Sequence, residues 1–67
     1  MKTKISLLKI STIEDVNRIK NSISILQGVI ACKINFEKQE VEVVYDDVYL
    51  TEDKIKEAVE DEGYIVR

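Results

Sequence analysis

Few groups in this chain stand at spacings that could carry chemistry, and the stretch to weigh first is Lys9-Ile10-Ser11-Thr12-Ile13-Glu14-Asp15. Glu14 and Asp15 are adjacent, and neighbouring positions on a helix do not converge on one point. They make a poor cage for a hard cation, which needs several oxygens around it. Cys32 is the only thiol and there is no histidine, so neither an intrachain disulfide nor a typical structural zinc site can be built. Ser11 and Thr12 are each followed three residues later by an acid, Glu14 and Asp15. That is capping-box spacing: a hydroxyl accepts from a first-turn N–H, and the acid reaches back to the cap. Helix capping is therefore the reading for Thr12 and Asp15. Arg18, the only interior arginine, falls off the apolar stripe that follows and reads as a solvated side chain.

The elements that position these groups follow from periodicity. Lys4-Ile5-Ser6-Leu7 alternates as a half-buried strand does. After the caps, Val16, Ile19, Ile23 and Leu26 recur along one helical stripe, and Gly28 is placed to end that helix. Residues 29–36 read as a second strand with Cys32, Ile34 and Phe36 on one face, and Val41, Val43 and Tyr45 mark a third, so the pair forms a hairpin. Thr51 caps a second helix with Ile55, Ala58 and Val59 inward; Gly63 ends it and Tyr64-Ile65-Val66 supplies a last strand. The order β-α-β-β-α-β predicts an α+β, ferredoxin-like sandwich, a four-stranded antiparallel sheet with both helices on one face.

Sixty-seven residues make one domain, spanning 1–67, with no linker or low-complexity run. Without disulfide or structural metal, packing must carry the fold, and the 45% apolar content with no proline allows it. The net charge of −3 is spread over interleaved acids and bases, which offers no basic stripe for nucleic acid. No stretch is long and apolar enough for membrane insertion or for a secretion signal. A lone thiol fits a reducing compartment, and the cytoplasm is the expected location.

The chain resembles the heavy-metal-associated domain family along essentially its whole length. The residues that carry the likeness are Gly28-Val29, Cys32-x-Ile34-x-Phe36, Val41-x-Val43-x-Tyr45-Asp46, Leu50-Thr51, Ile55, Ala58-Val59 and Glu62-Gly63-Tyr64-x-Val66. That family includes small copper chaperones and N-terminal domains of metal-exporting P-type ATPases. Its signature, Gly-Met-x-Cys-x-x-Cys between first strand and first helix, presents two thiolates to a soft ion such as Cu(I). Counting back from Gly28-Val29, Thr12 and Asp15 occupy the two ligand positions, Ile10 the methionine position and Lys9 the glycine. A hydroxyl and a carboxylate do not replace two thiolates, so no metal site is expected. Cys32, in parity with Ile34 and Phe36, reads as a buried core position. Tyr64 matches a family tyrosine near the metal loop and reads as a packing residue with its hydroxyl in solvent.

The resemblance thus implies a degenerate member acting as an interaction or regulatory module, with no cofactor. Its alternative is a heavy-metal carrier for Cu(I) or another soft ion through an atypical or intermolecular site. Implied partners are a metal-transporting P-type ATPase, a related heavy-metal-associated domain, or a second copy of the chain. An enzyme of this fold such as an acylphosphatase needs a phosphate cradle with an arginine in the first loop, and ligand sensors of the ACT type usually bind near a glycine there; the loop has neither. No catalysis is expected. Parity turns Leu8, Val44 and Ile65 to the open face of the sheet, where they form a candidate interaction patch expected at one end.

Overall fold

The structure is a computed structural model that describes residues 1–67. In chain order it runs β1 (Lys2–Leu8), α1 (Ile13–Ser24), β2 (Val29–Asn35), β3 (Glu40–Tyr45), α2 (Glu52–Asp61) and β4 (Ile65–Val66). The strands make one antiparallel sheet in the order β2-β3-β1-β4, the expected ferredoxin-like arrangement. Alternation sorts the faces: Ile5 and Leu7 of β1 and Val41, Val43 and Tyr45 of β3 turn inward. There they meet Ile19 and Ile23 of α1 and Ile55 and Val59 of α2, with Ile10 and Leu50 completing the core.

Both helices start where their caps place them. The Thr12 hydroxyl accepts from the Asp15 N–H and the Asp15 carboxylate accepts from the Thr12 N–H, a reciprocal capping box. Of the two overlapping boxes in the sequence, the chain uses the second. Thr51 caps α2 by accepting from Lys54 N–H, and Glu62 and Gly63 close it, Gly63 at φ +96°.

One boundary and one register differ from expectation. Helix α1 stops at Ser24, well before Gly28, because the chain tightens into shorter turns: Leu26 N–H donates to Ile23 O, and Val29 N–H to Leu26 O. Leu26 still packs on the core, from the turn rather than from the helix. Gly28 instead allows a close crossing at φ +103°, where a Cβ would lie 3.0 Å from Tyr49 Cβ and 3.3 Å from Asp46 O. In β2 the register slips between Val29 and Ala31, which leaves Ile30 exposed. Cys32 is half-buried rather than buried, because β2 is an edge strand only partly covered by α1.

Antiparallel pairing gathers three connections at one end of the sheet. β1 ends where β3 and β4 begin, with Ser6 opposite Glu40 and Leu8 opposite Ile65. The β1–α1 loop, the β2–β3 turn and the α2–β4 turn therefore meet there.

Candidate functional site

The loop of residues 9–12 joins β1 to α1 in an unusual conformation. Lys9, at the position where the resembled family has glycine, sits at φ +63°, a region that disfavours side-chain-bearing residues. Ile10 follows with its side chain buried in the core. Its backbone is gripped by Gln39 from the β2–β3 turn: Ile10 N–H donates to Gln39 Oε1 at 2.7 Å, and Gln39 Nε2 donates to Ile10 O at 2.8 Å. The same Nε2 donates to Phe36 O at 2.8 Å, while Gln39 O accepts from Leu7 N–H at 2.8 Å.

On the far side of the loop, Asp15 is a hub. Its Oδ2 accepts from Ser11 N–H at 3.0 Å, Ser11 Oγ at 3.2 Å and Thr12 N–H at 3.2 Å. Its Oδ1 accepts from the Tyr64 hydroxyl at 2.6 Å. The Tyr64 bond above all, then those from Ser11 and Thr12, holds the Asp15 carboxyl well below the usual carboxylate range, since each favours the charged form. Partial desolvation opposes them. The Tyr64 phenol is pushed above its ordinary value by desolvation first and by Asp15 second, with Arg18 acting in the opposite sense. The Tyr64 hydroxyl thus has a protein partner, Asp15, where the sequence reading expected only solvent. Left-handed Gly63 brings the chain back over the start of α1, and no local spacing announces a contact across 49 residues.

These donors do not fit a soft ion. The Thr12 oxygen is engaged by Asp15 N–H, both Asp15 oxygens are engaged, and no thiol is present in the loop. No cluster of three or more histidine, cysteine or acidic side chains is arranged to hold a metal ion. Cys32 stands in the middle of β2 opposite Val43, and desolvation pushes its thiol above the ordinary value, with Lys20 opposing weakly. Burial of this kind disfavours the free thiolate, and no second thiol stands beside Cys32 to complete a soft-metal pair.

The open-face aliphatics divide. Leu8 and Ile65 are direct cross-strand partners, 38% and 54% exposed, at the loop end. Val44 pairs with Lys2 at the other end of β1, roughly 20 Å away along the strand at the usual rise. The expectation of three aliphatics at one end is corrected to two, because β3 runs against β1 and its last residues meet β1's first. A second apolar surface escaped the sequence reading: a groove lined by Ile13, Val16, Ile34 and Phe36, with Ile13 71% exposed. The sequence marks Ile34 and Phe36 as one face of β2 and Val16 as part of the helical stripe, but not that Ile13, three residues before Val16, extends that stripe into an exposed groove.

Comparison with known proteins gives concordant matches. The family model of the heavy-metal-associated domain matches residues 9–64. A copper chaperone, CopZ, of Staphylococcus haemolyticus is 33% identical over 51 residues, covering 76% of this chain and 75% of that protein. Among solved structures, a CopZ metallochaperone superposes with a TM-score of 0.97 at 25% identity, each chain fully covered. A copper-binding domain from HMA7, a P-type ATPase, superposes at 0.93 over 98% of this chain and 89% of that one; at 21% identity it speaks to the fold alone.

Proposed function

The chain belongs to the heavy-metal-associated domain family, and on that premise we propose that it is a degenerate member, an interaction or regulatory module that does not bind Cu(I) tightly. One observation carries the reading. At the two positions where the family places its thiolates stand Thr12 and Asp15, and their oxygens are already engaged in capping and in the bond to Tyr64. Soft Cu(I) favours paired thiolates over such oxygens.

The partner, on this reading, is a metal-transporting P-type ATPase, a related domain, or a second copy of the chain, met in the cytoplasm. The likeness to a copper chaperone supports the first two. No helix is long and apolar enough to cross a membrane. The contact surface is the loop end, where the exposed pair Leu8 and Ile65 lies beside the turn carrying Tyr64. No catalytic role is assigned, since Asp15, the acid at the centre of the loop end, is committed to structural bonds with Ser11, Thr12 and Tyr64.

The test is a Cu(I) titration against a strong chelator with native chain and Cys32→Ser. Neither should retain the ion. A one-to-one complex surviving in Cys32→Ser would overturn the reading. Retention by the native chain alone would instead establish a carrier working through Cys32, as a site shared between molecules requires.

A further inference from the structure

The loop that in this family would be organised around an ion is held here by the chain itself, from both sides. We propose that Asp15 and Gln39 form a metal-free lock that keeps residues 9–12 in one conformation, so that the loop-end surface is presented permanently.

The argument begins with connectivity. The Asp15 carboxylate gathers donors from two separate segments: Ser11 and Thr12 of the loop, and Tyr64 of the turn before β4. A metal bound between loop and helix start would tether the same pieces; an anion with inward-pointing donors does so here without one. From the opposite side the Gln39 amide pairs with both backbone groups of Ile10, as a neighbouring strand would. Its third bond, to Phe36 O, fixes which end of the amide is oxygen, because only the nitrogen donates. The Ile10 side chain, buried in the core, is a third anchor.

Conformation supplies an independent line. Lys9 and Gln39, one in the loop and one in the clamp, both have left-handed backbones though neither is glycine. Such conformations persist only where surrounding contacts over-determine them. Here the clamp bonds run directly between the two strained segments. In a loop so determined the Ile10 backbone groups, the Thr12 hydroxyl and both Asp15 oxygens are already engaged, and a partner meets a preformed surface. The lock stands on the chain's own bonds; that it makes partner binding indifferent to metal rests on the function proposed above.

Amide hydrogen exchange on the metal-free chain tests it. Ile10, Ser11 and Thr12 amides should be protected at least tenfold more than the exposed turn amide of Glu37. Gln39→Ala should release Ile10, and Asp15→Ala should release Ser11 and Thr12, each by tenfold or more. Unchanged β3 amides in both variants report that the fold is intact. Native loop amides exchanging as fast as Glu37 would overturn the lock, and this comparison needs no variant. So would variants with intact β3 and unaltered loop rates. Metal retention is measured separately, so a protected loop that nevertheless holds Cu(I) would refute the proposed function and leave the lock standing.

Discussion

The Tyr64 hydroxyl donates to Asp15 Oδ1 at 2.6 Å, joining the turn before β4 to the first turn of α1 across 49 residues. This single bond turns a local helix cap into a long-range tie. It also makes the start of α1 sensitive to changes at either end of the chain.

The first prediction concerns acid. Asp15's carboxyl is lowered in the folded chain, so its contribution to stability is fully present above the unfolded carboxylate value, about 3.9. That contribution is lost as pH falls below this value toward the folded one. Urea midpoints of native chain and Asp15→Asn, followed from pH 6 down to about 2.5, should therefore converge as pH falls. Parallel curves would show that Asp15 titrates alike in both states. Tyr64, raised in the folded chain, acts at the alkaline end: its contribution is whole below about 10 and lost as pH rises through the folded value.

Rebuilding the family's thiolate pair gives a second. Thr12→Cys with Asp15→Cys should fold, losing about 1 kcal/mol with the Thr12 cap alone, and should acquire a one-to-one Cu(I) complex. The capping box and the Tyr64 tie disappear together in this variant. Should it fold yet ignore Cu(I) against a chelator, the Gln39 clamp on Ile10 is what holds the loop away from metal geometry.

Backbone conformation gives a third. Releasing Lys9 from φ +63° by Lys9→Gly removes a left-handed penalty of about 1–2 kcal/mol, and glycine's extra freedom in the unfolded chain returns up to about 1 kcal/mol. A net gain near 0.5 kcal/mol should appear in urea unfolding. Gly28→Ala should go the other way by about 2 kcal/mol, since the residue is left-handed and the new methyl meets Tyr49 and Asp46. A neutral Gly28→Ala would mean that the β3–α2 loop moves aside freely.

The fourth tests the contact surface. Leu8 and Ile65 face each other across the β1–β4 ladder, so Leu8→Glu with Ile65→Lys places opposite charges in direct register. The variant should stay folded while any self-association or partner complex weakens severalfold in sedimentation or pull-down. Unaltered association would move the contact to another surface, with the groove of Ile13, Val16, Ile34 and Phe36 the next to probe.

The amino-acid sequence alone determined the elements and the family. Alternation in β1 and β3, the capping boxes at Thr12 and Thr51 and the stop at Gly63 are local signals, legible because each rests on residues within a turn or two of one another. Placing Thr12 and Asp15 at the family's two thiolate positions, as proposed above, likewise rests on counting along the chain from Gly28-Val29. Register decided where Leu8, Val44 and Ile65 fall, since parity names a face but not a position along it. The C-terminal end of α1 depended on the tightened turns after Ser24, and the role of Gly28 on the close crossing with Tyr49. The ties from Asp15 to Tyr64 and from Ile10 to Gln39 belong to the tertiary structure alone. Hydrogen-bonding groups so far apart in the chain carry no common period; they meet only because the antiparallel sheet brings the end of β1 and the starts of β3 and β4 to the same end of the sheet.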